Sequence, residues 1–165
     1  MAHLTLLGAV ALPVSSVAIW LFWDTLATLS AAGLGHIYDP TRLNTVSRLI
    51  GFGVFFVGAL IQAYGLLGLR ETFLEGVAGT PLSPRGVGGF RRFAIVSLIM
   101  VLMGVVQHTV IVLLLSINDP SMPGALSFQF GSNEVGSLFM ALLLIFVAQV
   151  FTVGQRAEEE NSAFV

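Results

Sequence analysis

The chain has 165 residues, 56% of them hydrophobic and 10% charged, with a formal net charge of -2 and a mean hydropathy of +0.92. About a quarter of the residues in a water-soluble domain are charged, so this composition excludes one and points to lipid as the solvent. There is no Cys and no Lys, which rules out disulfides, thiolate metal sites, iron–sulfur clusters, a Cys nucleophile, a Walker-type phosphate lysine and a Schiff-base lysine. The near-neutral charge gives no reason to expect direct contact with nucleic acid.

Four runs free of Asp, Glu, Lys and Arg follow in chain order: 4–23, 49–69, 93–117 and 135–155. A helix rises about 1.5 Å per residue and the hydrocarbon layer is about 30 Å thick, so each run can cross it once. Lipid offers the backbone no hydrogen-bond partners, which makes helix the expected form. The fold class is therefore all-α, an integral membrane four-helix bundle forming a single domain over 1–165.

The first run has no basic segment before it and ends in Trp20 and Trp23, so it reads as a retained span and not as a cleaved signal. Trp20, Phe22 and Trp23 suit a membrane–water boundary. Pro13 removes one backbone hydrogen bond, and Ser15 and Ser16 offer hydroxyls to the freed groups. The second run carries Gly51, Gly58 and Gly65 at seven-residue spacing, a face with no side chains on which another helix can pack closely. That partner is another helix of the same bundle or a foreign one. Ser137, Ala141 and Ala148 make a similar stripe on the fourth run.

Between the second and third runs, 70–92 reads as a loop. It begins as an extension of the second helix, stops at Gly76, Gly79 and Pro81, and restarts at Ser83 and Pro84, an N-cap followed by a first-turn proline. Arg85, Arg91 and Arg92 in this segment are suited to lipid phosphates or a partner protein. Pro120, Pro123 and Gly124 mark a turn between the third and fourth runs. Arg70, Arg85, Arg91, Arg92 and Arg156 fall on one side of the four spans, against Arg42 and Arg48 on the other. The positive-inside rule then places both termini, the loop 70–92 and the tail 156–165 in the cytoplasm.

Polar residues within the spans are few. Gln62 and Gln149 can hydrogen-bond between helices, and no charged side chain is available for a proton relay or voltage sensor. His108 is the only His in the apolar runs; His3 is terminal and His36 lies in a loop. A neutral imidazole there either hydrogen-bonds within the bundle or ligates the metal of a haem or chlorophyll-type pigment, with Gly104 one turn away leaving room for a flat macrocycle. In the tail, Glu158, Glu159 and Glu160 sit where the helix dipole and an anionic leaflet both disfavour them. They form either a solvated end or a handle for a basic partner, with Phe164 and Val165 as apolar anchors.

The ending Gly154, Gln155, Arg156, Ala157, Glu158, Glu159, Glu160, Asn161, then Phe164 and Val165, directly after an apolar helix, resembles the bacterial membrane-protein family catalogued as domain of unknown function 2975. The Arg91–Arg92 pair before the third span is similar too. The resemblance implies a four-helix inner-membrane protein, and a membrane partner for a small helix-turn-helix regulator of the kind encoded beside some members. It brings no catalytic residues. Together these readings give a non-catalytic bacterial inner-membrane protein with no resident cofactor. Its expected partners are membrane lipids and either a larger membrane complex or a small cytoplasmic regulator, and a second copy of the chain is also admissible. A pigment-binding subunit using His108 is the alternative.

Overall fold

A computed structural model describes residues 1–25, 43–118 and 132–162. Expectations resting on His36, Arg42, Pro120, Pro123, Gly124, Phe164 and Val165 lie outside those residues. Four long helices are present: α1 (Ala2–Leu21), α2 (Thr45–Val77), α3 (Pro84–Asn118) and α4 (Ser132–Ser162). All four are long and apolar enough to cross a membrane, so this is a multi-pass, all-α membrane protein. No strand is present among the described residues.

The helices outrun the apolar stretches that define them. At 1.5 Å per residue α2 and α3 are each about 50 Å long, against about 30 Å of hydrocarbon. Most of the connecting segment 70–92 is helix, in line with the extension, stop and restart read from its residues: α2 continues to Val77, α3 begins at Pro84, and only 78–83 is irregular. Local chemistry accounts for this short turn. Gly79 takes a positive φ of 81°, which costs glycine little. Ser83 Oγ accepts from the Gly86 N–H (3.1 Å) and donates to Glu75 Oε2 (2.9 Å). Thr80 Oγ1 donates to the same carboxylate oxygen (3.1 Å), and Thr72 Oγ1 donates across the turn to the Gly86 carbonyl (2.8 Å). At the other end of α2, Asn44 Oδ1 accepts from the Ser47 N–H (2.7 Å) as an N-cap.

Packing follows chain order. α1 contacts α2, α2 contacts α3 and α3 contacts α4, whereas α1 and α4 do not touch. Each neighbouring pair is antiparallel: Trp20 lies over Gly51, Val96 against Gly65, and the α4 residue Phe151 beside Phe90 at 5.1 Å. The bundle is thus an open row with α2 and α3 in the middle.

Small side chains form the interior and large ones the outside. Ala94 is 0% exposed and Ala141 2%, while Leu102 is 66% exposed and Phe139 67%. Water would drive Leu102 and Phe139 inward, but lipid tails are as apolar as leucine, and in lipid helices associate by close backbone packing instead. α1 runs continuously through Pro13. Ser15 Oγ donates to the Leu12 carbonyl (2.9 Å), whereas the buried Ser16 hydroxyl has no partner among the described residues.

Candidate functional site

The glycine stripe of α2 is divided between two neighbours. Gly51 is buried under the indole of Trp20 from α1, Gly58 meets the Gln107 side chain of α3, and a Cβ on Gly65 would lie 2.7 Å from Val96 Cγ1. This face is therefore occupied within the chain, and docking of a foreign helix onto it is ruled out by α1 and α3 being there already. Trp20 also stacks on Trp23, with ring centroids 4.8 Å apart, so it serves a helix interface as much as a membrane boundary. One turn nearer the arginine-rich end the contact becomes backbone on backbone: a Cβ on Gly68 would come within 2.7 Å of the Gly89 carbonyl oxygen.

The open row leaves grooves along the membrane-facing sides of the helices. Gln62 borders two of them. One, of about 310 Å³, lies toward α1 and is shared with Ser15, Ser16 and Gln107. The other, of about 570 Å³, lies between α3 and α4 and is lined by Ser97, Gly104, His108, Glu134 and Ser137 as well. His108 Nδ1 is buried and has no hydrogen-bond partner among the described residues. A Cβ on Gly104 would meet nothing within 4 Å, so the wall next to His108 is open. The structure thus brings His108, Gly104 and Gln62 to one groove that also receives the N-terminal turn of α4. Gln149, paired with Gln62 in the sequence reading, stands apart from it.

The arginines diverge although they are close in sequence. Arg92 lies 3.7 Å from Glu71, with its guanidinium 5.0 Å from the centroid of the Tyr64 ring. This gives it a carboxylate and a π face on α2. Arg85 is exposed on the first turn of α3. Arg91 is also exposed and borders a groove of about 560 Å³ between α3 and α4, whose other basic residue is Arg156. Sequence reasoning used Arg156 for orientation and in the C-terminal resemblance, not as a site residue. Its signal was the spacing of Gln149, Thr152 and Arg156 along one α4 face.

Glu158, Glu159 and Glu160 are exposed on the last turns of α4, which stays helical through them. Gln155 Nε2 donates to Glu159 Oε1 (2.7 Å). At the opposite end Arg48 pairs with Asp24 through both nitrogens of its fork, Nη1 to Oδ2 being 3.0 Å. Arg48 Nε donates to the Leu43 carbonyl (3.1 Å). Hydrogen bonding to Arg48 holds the Asp24 carboxyl below its usual range and the guanidinium above its own. This clamp ties the end of α1 to the start of α2.

No group of three or more His, Asp and Glu side chains placed to hold a metal ion occurs among the described residues. The chain matches no protein-family profile, no curated protein and no solved structure.

Proposed function

We propose that this is a non-catalytic bacterial inner-membrane protein that works by holding another membrane protein, as an accessory subunit with both termini in the cytoplasm. The observation that carries this reading is the polar groove between α3 and α4. Lipid tails cannot hydrogen-bond to His108 or Gln62, and a polar group left unpaired in hydrocarbon is costly. A partner helix with a small or hydroxyl-bearing face would fill about 570 Å³ and supply the missing bonds. The orientation is supported by the gathering of Arg70, Arg85, Arg91, Arg92 and Arg156 at one end of the row. Membership of the domain of unknown function 2975 family belongs to the same proposal.

A photo-crosslinking residue placed at Ser137, at the edge of the groove, tests it in native membranes against one at the lipid-facing Val57. The expected result is one discrete membrane-protein adduct from position 137 and none from 57. Equal labelling at both, or none at 137, refutes the subunit reading. Adducts formed instead from position 158 with a soluble chain would assign the partner as a cytoplasmic regulator held by Glu158 to Glu160.

A second reading, pigment or haem binding, is supported by His108 lining this groove beside the open wall at Gly104. Neutral imidazole nitrogen is a good axial ligand. The absorption spectrum of protein purified from its own membranes decides it: a Soret-type or chlorophyll-type band lost in His108→Ala supports it, and a colourless protein ends it.

A further inference from the structure

The groove between α3 and α4 at the arginine-rich end differs in chemistry from the one around His108. Its two basic residues, Arg91 on α3 and Arg156 on α4, come from segments 65 positions apart in sequence and meet only because the two helices pack side by side. Both are exposed, and neither has a carboxylate partner among the described residues. The contrast is with Arg92, which is taken up by Glu71 and Tyr64, and with Arg48, which is taken up by Asp24. Glu160 lies one turn beyond Arg156 on the same α4 face, yet it makes no ion pair with it.

Below the arginines the groove is apolar. The buried Ala94 and Ala148 form its floor, and Ile95, Ile145 and Val153 its walls. From Arg156 to Ile145 it runs about 16 Å along α4, at 1.5 Å per residue, into the depth of the hydrocarbon. Gln149 lines it with an exposed amide that can donate two hydrogen bonds. The Thr152 hydroxyl donates to the Ala148 carbonyl (2.9 Å), which leaves only its oxygen to accept.

We propose that Arg91 and Arg156 hold the phosphate of one anionic phospholipid, phosphatidylglycerol or cardiolipin in type, with an acyl chain seated on Ala94 and Ala148. Two guanidinium groups present planar N–H forks to phosphate oxygens, and basic pockets between membrane helices select anionic headgroups. A zwitterionic headgroup brings its own cation, so it neutralises the pair less well. Length is the second criterion: a free phosphate satisfies the arginines but leaves the groove below them unfilled. The headgroup adds a second tie between α3 and α4, beside the packing of Phe151 on Phe90.

Arg91 also borders a groove on the α2 side of α3, with Tyr64 and Ile99, but Arg156 does not. The discriminating variants are therefore Arg156→Gln and Arg91→Gln, with Arg70→Gln, outside the groove, as a control. The full chain is purified in mild detergent and titrated with phosphatidylglycerol, cardiolipin, phosphatidylcholine and inorganic phosphate. Bound lipid is counted by native mass spectrometry, and far-UV circular dichroism checks that each variant is folded. The expected result is one anionic lipid per chain, held about ten-fold or more less tightly after either substitution. Arg70→Gln should have no effect, and Arg156→Lys should retain part of the affinity. Equal retention of phosphatidylcholine overturns the proposal, as does anionic-lipid binding unchanged in the Arg91→Gln/Arg156→Gln pair. Displacement of the lipid by inorganic phosphate at matching concentration would reassign the site to a free oxyanion. Should a single variant misfold, charge reversal at the folded partner position gives the same test: Arg156→Glu must abolish selectivity for the anionic lipid.

Discussion

Replacing Gly68 by alanine tests the backbone contact that joins α2 to α3 at the arginine-rich end. The added Cβ would stand 2.7 Å from the Gly89 carbonyl oxygen and 3.2 Å from both Cβ and Cδ of Arg92. The Arg92 Cδ can swing aside at the loss of the contacts with Glu71 and Tyr64, but the Arg92 Cβ and a carbonyl held in a helix cannot. The two helices must then separate by several tenths of an ångström over that turn. Overpacking of this kind costs about 1–3 kcal/mol, and replacing glycine by alanine inside a helix returns up to about 1 kcal/mol of backbone propensity. The net expectation is a loss of up to roughly 2 kcal/mol. Gly53 is the internal control, since a Cβ there meets nothing within 4 Å and only the propensity gain applies. Unfolding by SDS in mixed micelles, followed by far-UV circular dichroism, measures both variants in one system. Gly68→Ala should unfold at lower SDS than the parent, and Gly53→Ala at equal or higher. If the two behave alike, the helices are not in backbone contact at Gly68 and the reasoning fails. The double variant Gly68→Ala/Gly89→Ala should lose less than the sum of the single losses, because the second methyl enters a gap the first has opened.

The other contacts give sharper, smaller tests. Arg48 depresses the Asp24 pKa below 3.8, so this pair contributes stability that is fully present above the unfolded value and is lost as pH falls through the folded one. Thermal midpoints of Asp24→Asn should lie below those of the parent at neutral pH and converge with them below about pH 4; a constant gap at every pH would contradict the pairing. Ser83→Ala removes both the N-cap of α3 and a donor to Glu75, and should lower stability by about 1 kcal/mol in the same SDS titration. No change would mean that Pro84 alone starts the helix. At the opposite end Asn118 Nδ2 donates to the buried Ser47 Oγ (2.9 Å) and to the Leu114 carbonyl (2.7 Å). Asn118→Leu should cost about 0.6 kcal/mol, the usual worth of a hydrogen bond between membrane helices, and an additive cycle with Ser47→Ala would show that the two do not interact.

The four long apolar helices were legible from the residues alone, because helix formation in lipid depends on local quantities. A run of about 20 uncharged residues must become helix wherever lipid surrounds it, whatever the rest of the chain does. The restart at Ser83 and Pro84 was legible for the same reason, since a cap acts over three residues. The extension of α2 into 70–92 and its stop before Ser83 were legible too; what closes that segment was not. Its helical turns are held by bonds across the hairpin, from Thr72 to Gly86 and from Ser83 to Glu75.

Which face meets which neighbour depends on the rotation and order of whole helices, and no local pattern specifies either. Gly51, Gly58 and Gly65 form one stripe, yet the first faces Trp20 of α1 and the others face α3. Arg91 and Arg92 are adjacent, but consecutive residues point about 100° apart around a helix. That rotation sends one to Glu71 and Tyr64 of α2 and the other to a groove shared with Arg156. The same packing brings His108 and Gln62 to one cleft and leaves Gln149 in another. Hydropathy placed the helices in the membrane; the shapes of small side chains against their neighbours then set the order of the row, and with it the chemistry of each groove.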